Sequence, residues 1–218
     1  MKNDLTELVF ILDKSGSMSG LEGDTIGGFN SLIEKQKTEE GEVVVTTVLF
    51  NDRMRYLHDR INIKEVNKMT RRDYTADGCT ALLDAVGNTI KHIVHKQKEL
   101  KEEFVPEKTM VVITTDGMEN SSREYDYPDI KKLIEKQKEL GWEFIFLGAN
   151  IDVNREARRF GIDEDNAVEY KCDKRGVNLN YDAISGAVKE MRCCKKVSKD
   201  WHKEIDEYLE EMEQKEKR

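Results

Sequence analysis

Basic excess is missing from this chain: its 218 residues hold 36 Lys and Arg against 44 Asp and Glu, a formal net charge of −8 at pH 7. Nucleic-acid affinity rests on neutralising phosphates with basic side chains, so no nucleic-acid partner is expected. Local basic pairs such as Lys131-Lys132 and Lys195-Lys196 sit among acids and read as solvated faces. Long apolar runs are missing too. None approaches the ~20 residues that span a bilayer, so no membrane partner is expected either. The opening residues, Met1-Lys2-Asn3-Asp4-Leu5-Thr6-Glu7, place acids where an export leader needs an apolar core. The expected location is therefore the cytoplasm. Proline occurs only twice, and no Pro/Ser-rich linker or internal repeat divides the chain. That favours one sizeable domain plus an appendage. The four cysteines (Cys79, Cys172, Cys193 and Cys194) lack the paired spacing of a zinc site. Cys193 and Cys194 are adjacent, a poor geometry for a mutual disulfide. Free thiols are expected, with Cys79 as a small buried residue.

What is present is a regular alternation. Leu8-Val9-Phe10-Ile11-Leu12 is an unbroken apolar run, as in a strand covered on both faces. Ser19-x-x-Glu22 looks like a capping box for a helix with Ile26, Phe29 and Ile33 inward, stopped by Gly41. Residues 42–50 are Val- and Thr-rich, and Asn51-Asp52 turns the chain into a shorter strand over about 53–58. A helix from Thr80 carries Leu83, Val86, Ile90 and Val94 on one face. The strand 110–115 follows and ends at Asp116-Gly117. Pro128 suits the first turn of the next helix, with Ile130, Leu133, Ile134 and Leu140 inward and Gly141 at its end. Strand 144–147, a short helix closing at Gly161, a strand near 167–171 and a helix through Ala183, Ala187 and Met191 complete the series. Alternating β and α units predict a mostly parallel sheet with helices on both faces. Sites in such sheets lie at the carboxyl ends of the strands. Beyond residue 195, Trp201, Ile205, Leu209 and Met212 form a narrow apolar stripe among Lys and Glu, an amphipathic helix. It could dock on its own domain, form a coiled contact or meet a partner.

Three segments fall at strand ends or helix starts: Asp13-Lys14-Ser15-Gly16-Ser17, Gly78-Cys79-Thr80-Ala81-Leu82 and Thr114-Thr115-Asp116-Gly117. Together they bring two carboxylates and three hydroxyls to one sheet edge, a donor set suited to a hard divalent cation. Two carboxylates only balance the ion's charge. The ion then stays electrophilic toward one more anionic oxygen supplied from outside. Singly, each residue has a plainer reading: Ser15 and Ser17 as turn formers, Thr80 as a helix cap, Asp116-Gly117 as a turn. Their joint order favours the metal.

The pattern Asp-x-Ser-x-Ser, a later Thr and a later Asp resembles the metal-ion-dependent adhesion site of von Willebrand factor A domains. Here it is Asp13, Ser15, Ser17, Thr80 and Asp116, without departure. The resemblance covers roughly residues 4–195 and is nearest to stand-alone intracellular bacterial members. It implies a doubly wound α/β fold of six mostly parallel strands with one short antiparallel strand, taken as 53–58. The division it implies is a von Willebrand factor A domain over 1–195 and a charged amphipathic helix over 196–218. It implies Mg2+, with Mn2+ or Ca2+ as alternatives, held mainly by Ser15, Ser17 and Thr80, with Asp13 and Asp116 acting largely through water. The implied activity is binding of a protein that presents Asp or Glu to the ion, not turnover. A homo-oligomer through the C-terminal helix is the second hypothesis.

The rival is a phosphohydrolase of haloacid-dehalogenase type, which needs a second Asp two residues after the first; here that position is Ser15. Gly16-Ser17-Met18-Ser19-Gly20 is not a nucleophile elbow, because no His–acid partner set accompanies it. No phosphate-binding loop is present, since Gly-Lys-Ser/Thr is missing. No enzyme is expected. His92, His95 and Glu99 share a helix face and read as solvated rather than as a second metal site. Tyr74, Asp77, Glu119 and Asn120 are expected to rim the metal face.

Overall fold

The computed structural model describes residues 4–194 and 197–216. Lys195 and Lys196 lie outside the described residues, as does the side chain of Cys194. The strands are β1 (Leu5–Asp13), β2 (Glu42–Phe50), β3 (Met54–Asn62), β4 (Lys108–Thr115), β5 (Trp142–Gly148) and β6 (Ala167–Glu169). They form a six-stranded sheet in the order β3-β2-β1-β4-β5-β6. Every pairing is parallel except β2 with β3. The helices are α1 (Glu22–Lys37), α2 (Leu82–Glu99), α3 (Tyr127–Glu139), α4 (Val153–Phe160), α5 (Lys174–Cys194) and α6 (Lys203–Glu216).

Period-two alternation of β1 explains the layers. Leu8, Phe10 and Leu12 enter a core with Phe29 and Leu32 of α1 and Ile184 and Val188 of α5. Val9 and Ile11 enter the opposite core, with Val86 and Ile90 of α2, Ile130 and Ile134 of α3, and Phe160 of α4. A continuous apolar run is what a strand needs when both its faces are covered.

The antiparallel strand is not short. It runs nine residues, as long as β2, with an irregular register between Val45 and Val48. The added residues include Arg60, which meets a buried charge. Glu7 on β1 is fully buried, and Arg60 of β3 reaches it with contacts of 2.5 and 2.6 Å, while Gln97 donates a third at 2.8 Å. A carboxylate so far from water requires such partners.

Helix starts follow their caps only in part. Asp126 and Asp129 form a capping box on α3, with Pro128 in the first turn. Asp152 caps α4, which closes on left-handed Gly161 (φ 75°). The proposed Ser19 box is absent. Residues 16–18 form a 3-10 turn, Gly20 at φ 92° redirects the chain, and the Glu22 carboxylate accepts from Gly20 N at 2.8 Å. Leu140 is 70% exposed rather than inward, because α3 ends at Glu139.

The terminal helix docks on its own domain. Trp201, Ile205 and Tyr208 are buried, with Leu209 only half-buried, so the stripe turns by one position from the expected one. Trp201 donates to Asp165 O at 3.0 Å, and Tyr208 donates to Asp173 at 2.8 Å. The helix thereby covers the β6 edge, which would otherwise present unpaired backbone groups.

His58 on β3 is 7% exposed and lies parallel to Phe29 with ring centroids 6.2 Å apart. One ring nitrogen donates to Asn67 O at 3.1 Å, and the other accepts from the Thr47 hydroxyl at 3.1 Å. Burial lowers its pKa below 6.5. The unfolded chain therefore takes up this proton first as pH falls through about 6.5, and stability is lost on acidification. Denaturant midpoints measured between pH 7 and 5 should fall more steeply for wild type than for His58→Gln.

Candidate metal centre

The sheet reverses its strand order at β1, flanked by β2 and β4, and the carboxyl ends of β1 and β4 form the crevice expected at such a switch point. Asp13 is the last residue of β1, and Asp116 follows the last residue of β4. Both are buried, as are Ser15 and Thr80, while Ser17 is exposed at the mouth.

One Asp13 oxygen accepts from Ser15 N at 2.7 Å, and the other accepts from the Thr115 hydroxyl at 2.7 Å. The Ser15 and Ser17 hydroxyls are 3.0 Å apart, and Ser17 donates to Asp116 at 2.5 Å. Gly117 places Thr80 in the same group: a Cβ there would meet Ser17 Oγ at 3.2 Å and Thr80 Oγ1 at 3.4 Å. All five residues singled out in the sequence therefore stand together.

Their surroundings hold them. Tyr74 is buried and donates to the main-chain oxygen of Asp13, so it braces the site from beneath rather than rimming it. Glu119 is half-buried and Asn120 exposed, and both carboxylate and carboxamide are engaged by the start of α2. Asn120 accepts from Thr80 N, and Glu119 accepts from Leu83 N, each at 2.9 Å. Ser122 accepts from Asp84 N at 3.1 Å, and the Asp84 carboxylate accepts from the backbone of residues 123–125. The loop after β4 thus satisfies the free N–H groups that open α2 and ties Thr80 to Asp116. Asp77 is exposed and pairs with Lys14 at 3.0 Å.

Cys172 is the residue that sequence reasoning missed. Its thiol donates to Asp116 at 3.7 Å, and burial with the adjacent carboxylate pushes its pKa up to about 11. It lies 56 residues from Asp116, and no local pattern marks that contact. Cys79, expected to be buried, is exposed, since the Gly78-Cys79 turn faces outward at φ 74° for Gly78. Cys172 and Cys193 are also free thiols. His92 pairs with Asp59 at 2.8 Å and His95 with Glu99 at 3.3 Å. No group of three or more His, Cys, Asp or Glu suited to a metal occurs among the described residues.

Burial raises the pKa of both Asp13 and Asp116, and the nearby Asp116 carboxylate raises that of Asp13 further. Neither forms an ion pair among the described residues; Lys14, between Asp13 and Ser15, is committed to Asp77. Two buried carboxylates and three hydroxyls without a basic partner fit a hard cation that takes oxygen ligands.

A model of the von Willebrand factor type A domain matches residues 7–178. The chain belongs to that family. Solved structures agree on the fold. A von Willebrand factor type A protein from Catenulispora acidiphila is 14% identical with a TM-score of 0.55, covering 86% of this chain and 43% of its own. Manganese-loaded TRAP protein of Plasmodium vivax is 15% identical at 0.55, covering 81% and 72%. Proximal thread matrix protein 1 of the mussel byssus, with a zinc-occupied MIDAS motif, is 14% identical at 0.58, covering 85% and 46%. The chain thus spans less than half the length of the mussel protein it matches. No curated protein matches it with significance. No helix among the described residues is long and apolar enough to cross a membrane.

Proposed function

We propose that this von Willebrand factor A domain is a metal-dependent protein-binding module. Its metal-ion-dependent adhesion site is formed by Asp13, Ser15, Ser17, Thr80 and Asp116. Mg2+ is the first choice of ion, with Mn2+ and Ca2+ as alternatives of the same oxygen preference. A bound divalent cation supplies an open coordination position for one carboxylate oxygen of a partner's Asp or Glu. The observation that carries this reading is the pair of buried carboxylates with three hydroxyls at the sheet's switch point and, among the described residues, no basic side chain paired to either acid. Ser15 and Thr80 are oriented by backbone bonds to Asp13 and Asn120, so the hydroxyls are placed before any ligand arrives. Ser17, at the mouth, faces the partner side.

The domain unit is taken as 1–195 and the added helix as 196–218, in a soluble cytoplasmic protein of bacterial type. A phosphohydrolase is disfavoured because Ser15 occupies the position of the general acid. Oligomerisation through the terminal helix is disfavoured because Trp201, Ile205 and Tyr208 are buried in the chain's own core.

A Mn2+ titration followed by electron paramagnetic resonance should give one site, displaced by Mg2+ and weakened at least ~10-fold in Ser15→Ala/Thr80→Ala. A partner captured by wild type should elute with EDTA and fail to bind that variant. Equal Mn2+ affinity in both proteins, or capture indifferent to EDTA, overturns the reading.

A further inference from the structure

Beside the proposed metal site lies a polar cleft of about 690 Å3, lined by Lys14, Asn51, Arg53, Arg55, Arg72 and Asp77 among others. It adjoins the cluster through Lys14. Lys14 stands between Asp13 and Ser15, its carbonyl accepts from Asp77 N at 2.9 Å, and Gly16 N donates to Gly78 O at 3.1 Å. Asn51 holds the wall by donating to the Asp77 carbonyl and carboxylate at 3.0 and 2.7 Å. Arg71 lies over the adjoining depression, which shares Thr75 with the cleft.

The choice of cation here departs from the rest of the chain. The sequence has 24 lysines and 12 arginines, yet the cleft and its edge hold four arginines and one lysine. Arginine offers a rigid fork that grips carboxylates with two parallel bonds, which lysine does not. Arg53 is 90% exposed on its side chain, with Asp52 only at 3.8 Å. Arg71 and Arg72 are exposed and form no ion pair among the described residues. Arg55 is partly engaged by Asp73 at 3.7 Å, and Lys14 by Asp77 at 3.0 Å. At physiological salt, charges more than ~8 Å apart are largely screened. An approaching acid therefore responds to this local excess rather than to the distant net charge of −8.

We propose that the arginine-lined cleft receives an acidic segment of the partner protein, so that the ligand is a run of several carboxylates rather than one isolated Asp or Glu. The first carboxylate completes the metal site, and the following ones meet Arg53, Arg72 and Arg55. Successive same-side residues of an extended segment are ~7 Å apart, which suits a cleft several residues long. Three interleaved aspartates (Asp52, Asp73 and Asp77) keep the local excess small. That is weak footing for a polyphosphate, whose binding scales with the number of phosphates neutralised. This inference rests on the metal-dependent reading above.

The test uses fluorescein-labelled peptides: ten residues of alternating Asp and Glu, and a Gly/Ser peptide of equal length with one central Asp. Anisotropy is read with Mg2+ and with EDTA. For wild type the acidic peptide should bind at least ~10-fold more tightly than the single-Asp peptide, the scale of one or two charge-assisted pairs. Arg53→Glu/Arg72→Glu should erase that margin. Lys131→Glu/Lys132→Glu, which changes net charge equally on the exposed surface of α3, should keep it. Equal affinity of the two peptides, a margin that survives Arg53→Glu/Arg72→Glu, or no binding of either peptide overturns the cleft assignment. An oligothymidylate of equal charge bound as tightly overturns it in favour of phosphate. A margin that obeys the variants while neither peptide responds to Mg2+ supports the cleft and overturns the metal reading.

Discussion

Replacing Asp13 by Asn should abolish stabilisation by Mg2+ while leaving the metal-free protein folded and no less stable than wild type. In the metal-free chain, Asp13 and Asp116 are buried near each other, and burial makes the charged form of each unfavourable. An amide removes that charge. Its oxygen still accepts from Ser15 N, and its NH2 meets the Thr115 oxygen. The metal loses one of the two charges that balance it, so affinity collapses. A ligand at 100-fold its Kd stabilises a fold by about 2.7 kcal/mol, and a domain of this size gains roughly 2–4 °C per kcal/mol. Thermal melts of wild type should therefore rise by roughly 5–10 °C at that Mg2+ level and return to baseline with EDTA. The Asp13→Asn variant should show no rise. An equal Mg2+ response in the two proteins would remove Asp13 from the site.

The second large effect is expected at Arg192, which contacts the opposite end of β4 from the proposed metal site. This side chain, 8% exposed near the end of α5, donates to Gln36 O and Gln36 Oε1 at 2.8 and 2.9 Å. Its other amino group reaches Glu39 O at 3.0 Å and Glu40 O at 2.5 Å. These are carbonyls at and beyond the end of α1, which a helix leaves without partners. The Arg192 carbonyl in turn accepts from the buried Lys108 at the start of β4. One guanidinium thus closes α1 and fastens α5 to it, while the backbone carbonyl of the same residue holds the first residue of a central strand. Arg192→Ala leaves several of these groups unsatisfied, at ~1–3 kcal/mol for each that water does not reach. A total of about 3 kcal/mol corresponds to a fall of roughly 6–12 °C in Tm. Arg192→Lys should recover little of it, because one ammonium does not span carbonyls on both sides of the fork. Calorimetry of the two variants checks this, and a loss below about 1 kcal/mol would show that solvent replaces the contacts.

The sequence carried the β strands and the order of the α/β units because their signals are local. An apolar run such as 8–12 is needed wherever both faces of a strand are covered, and Gly141 and Gly161 stop helices by their own backbone freedom. The residues of the proposed metal site were legible for a related reason. Each follows a strand or precedes a helix, and the sheet topology delivers all such junctions to one edge. Caps were less legible. Ser19 and Glu22 have the spacing of a capping box, but the turn at Ser19-Gly20 places Glu22 at the helix start and leaves Ser19 outside it. For α2 the groups that satisfy the opening N–H groups come from Glu119, Asn120 and Ser122, more than thirty residues onward.

By itself, then, the chain's order of residues determined the layered parallel sheet, the edge on which chemistry gathers and the five oxygen-bearing side chains there. Those follow from periodicity and from junction position, both encoded within a few neighbouring residues. Only the tertiary structure decided that Cys172 lies against Asp116, that Tyr74 supports Asp13 from below, that Arg60 is drawn to Glu7, and that arginines from two separate loops line one cleft. It also decided that the last helix is spent on the β6 edge rather than left free. Each of these joins residues distant in sequence. Their meeting depends on how layers pack, which no local pattern records.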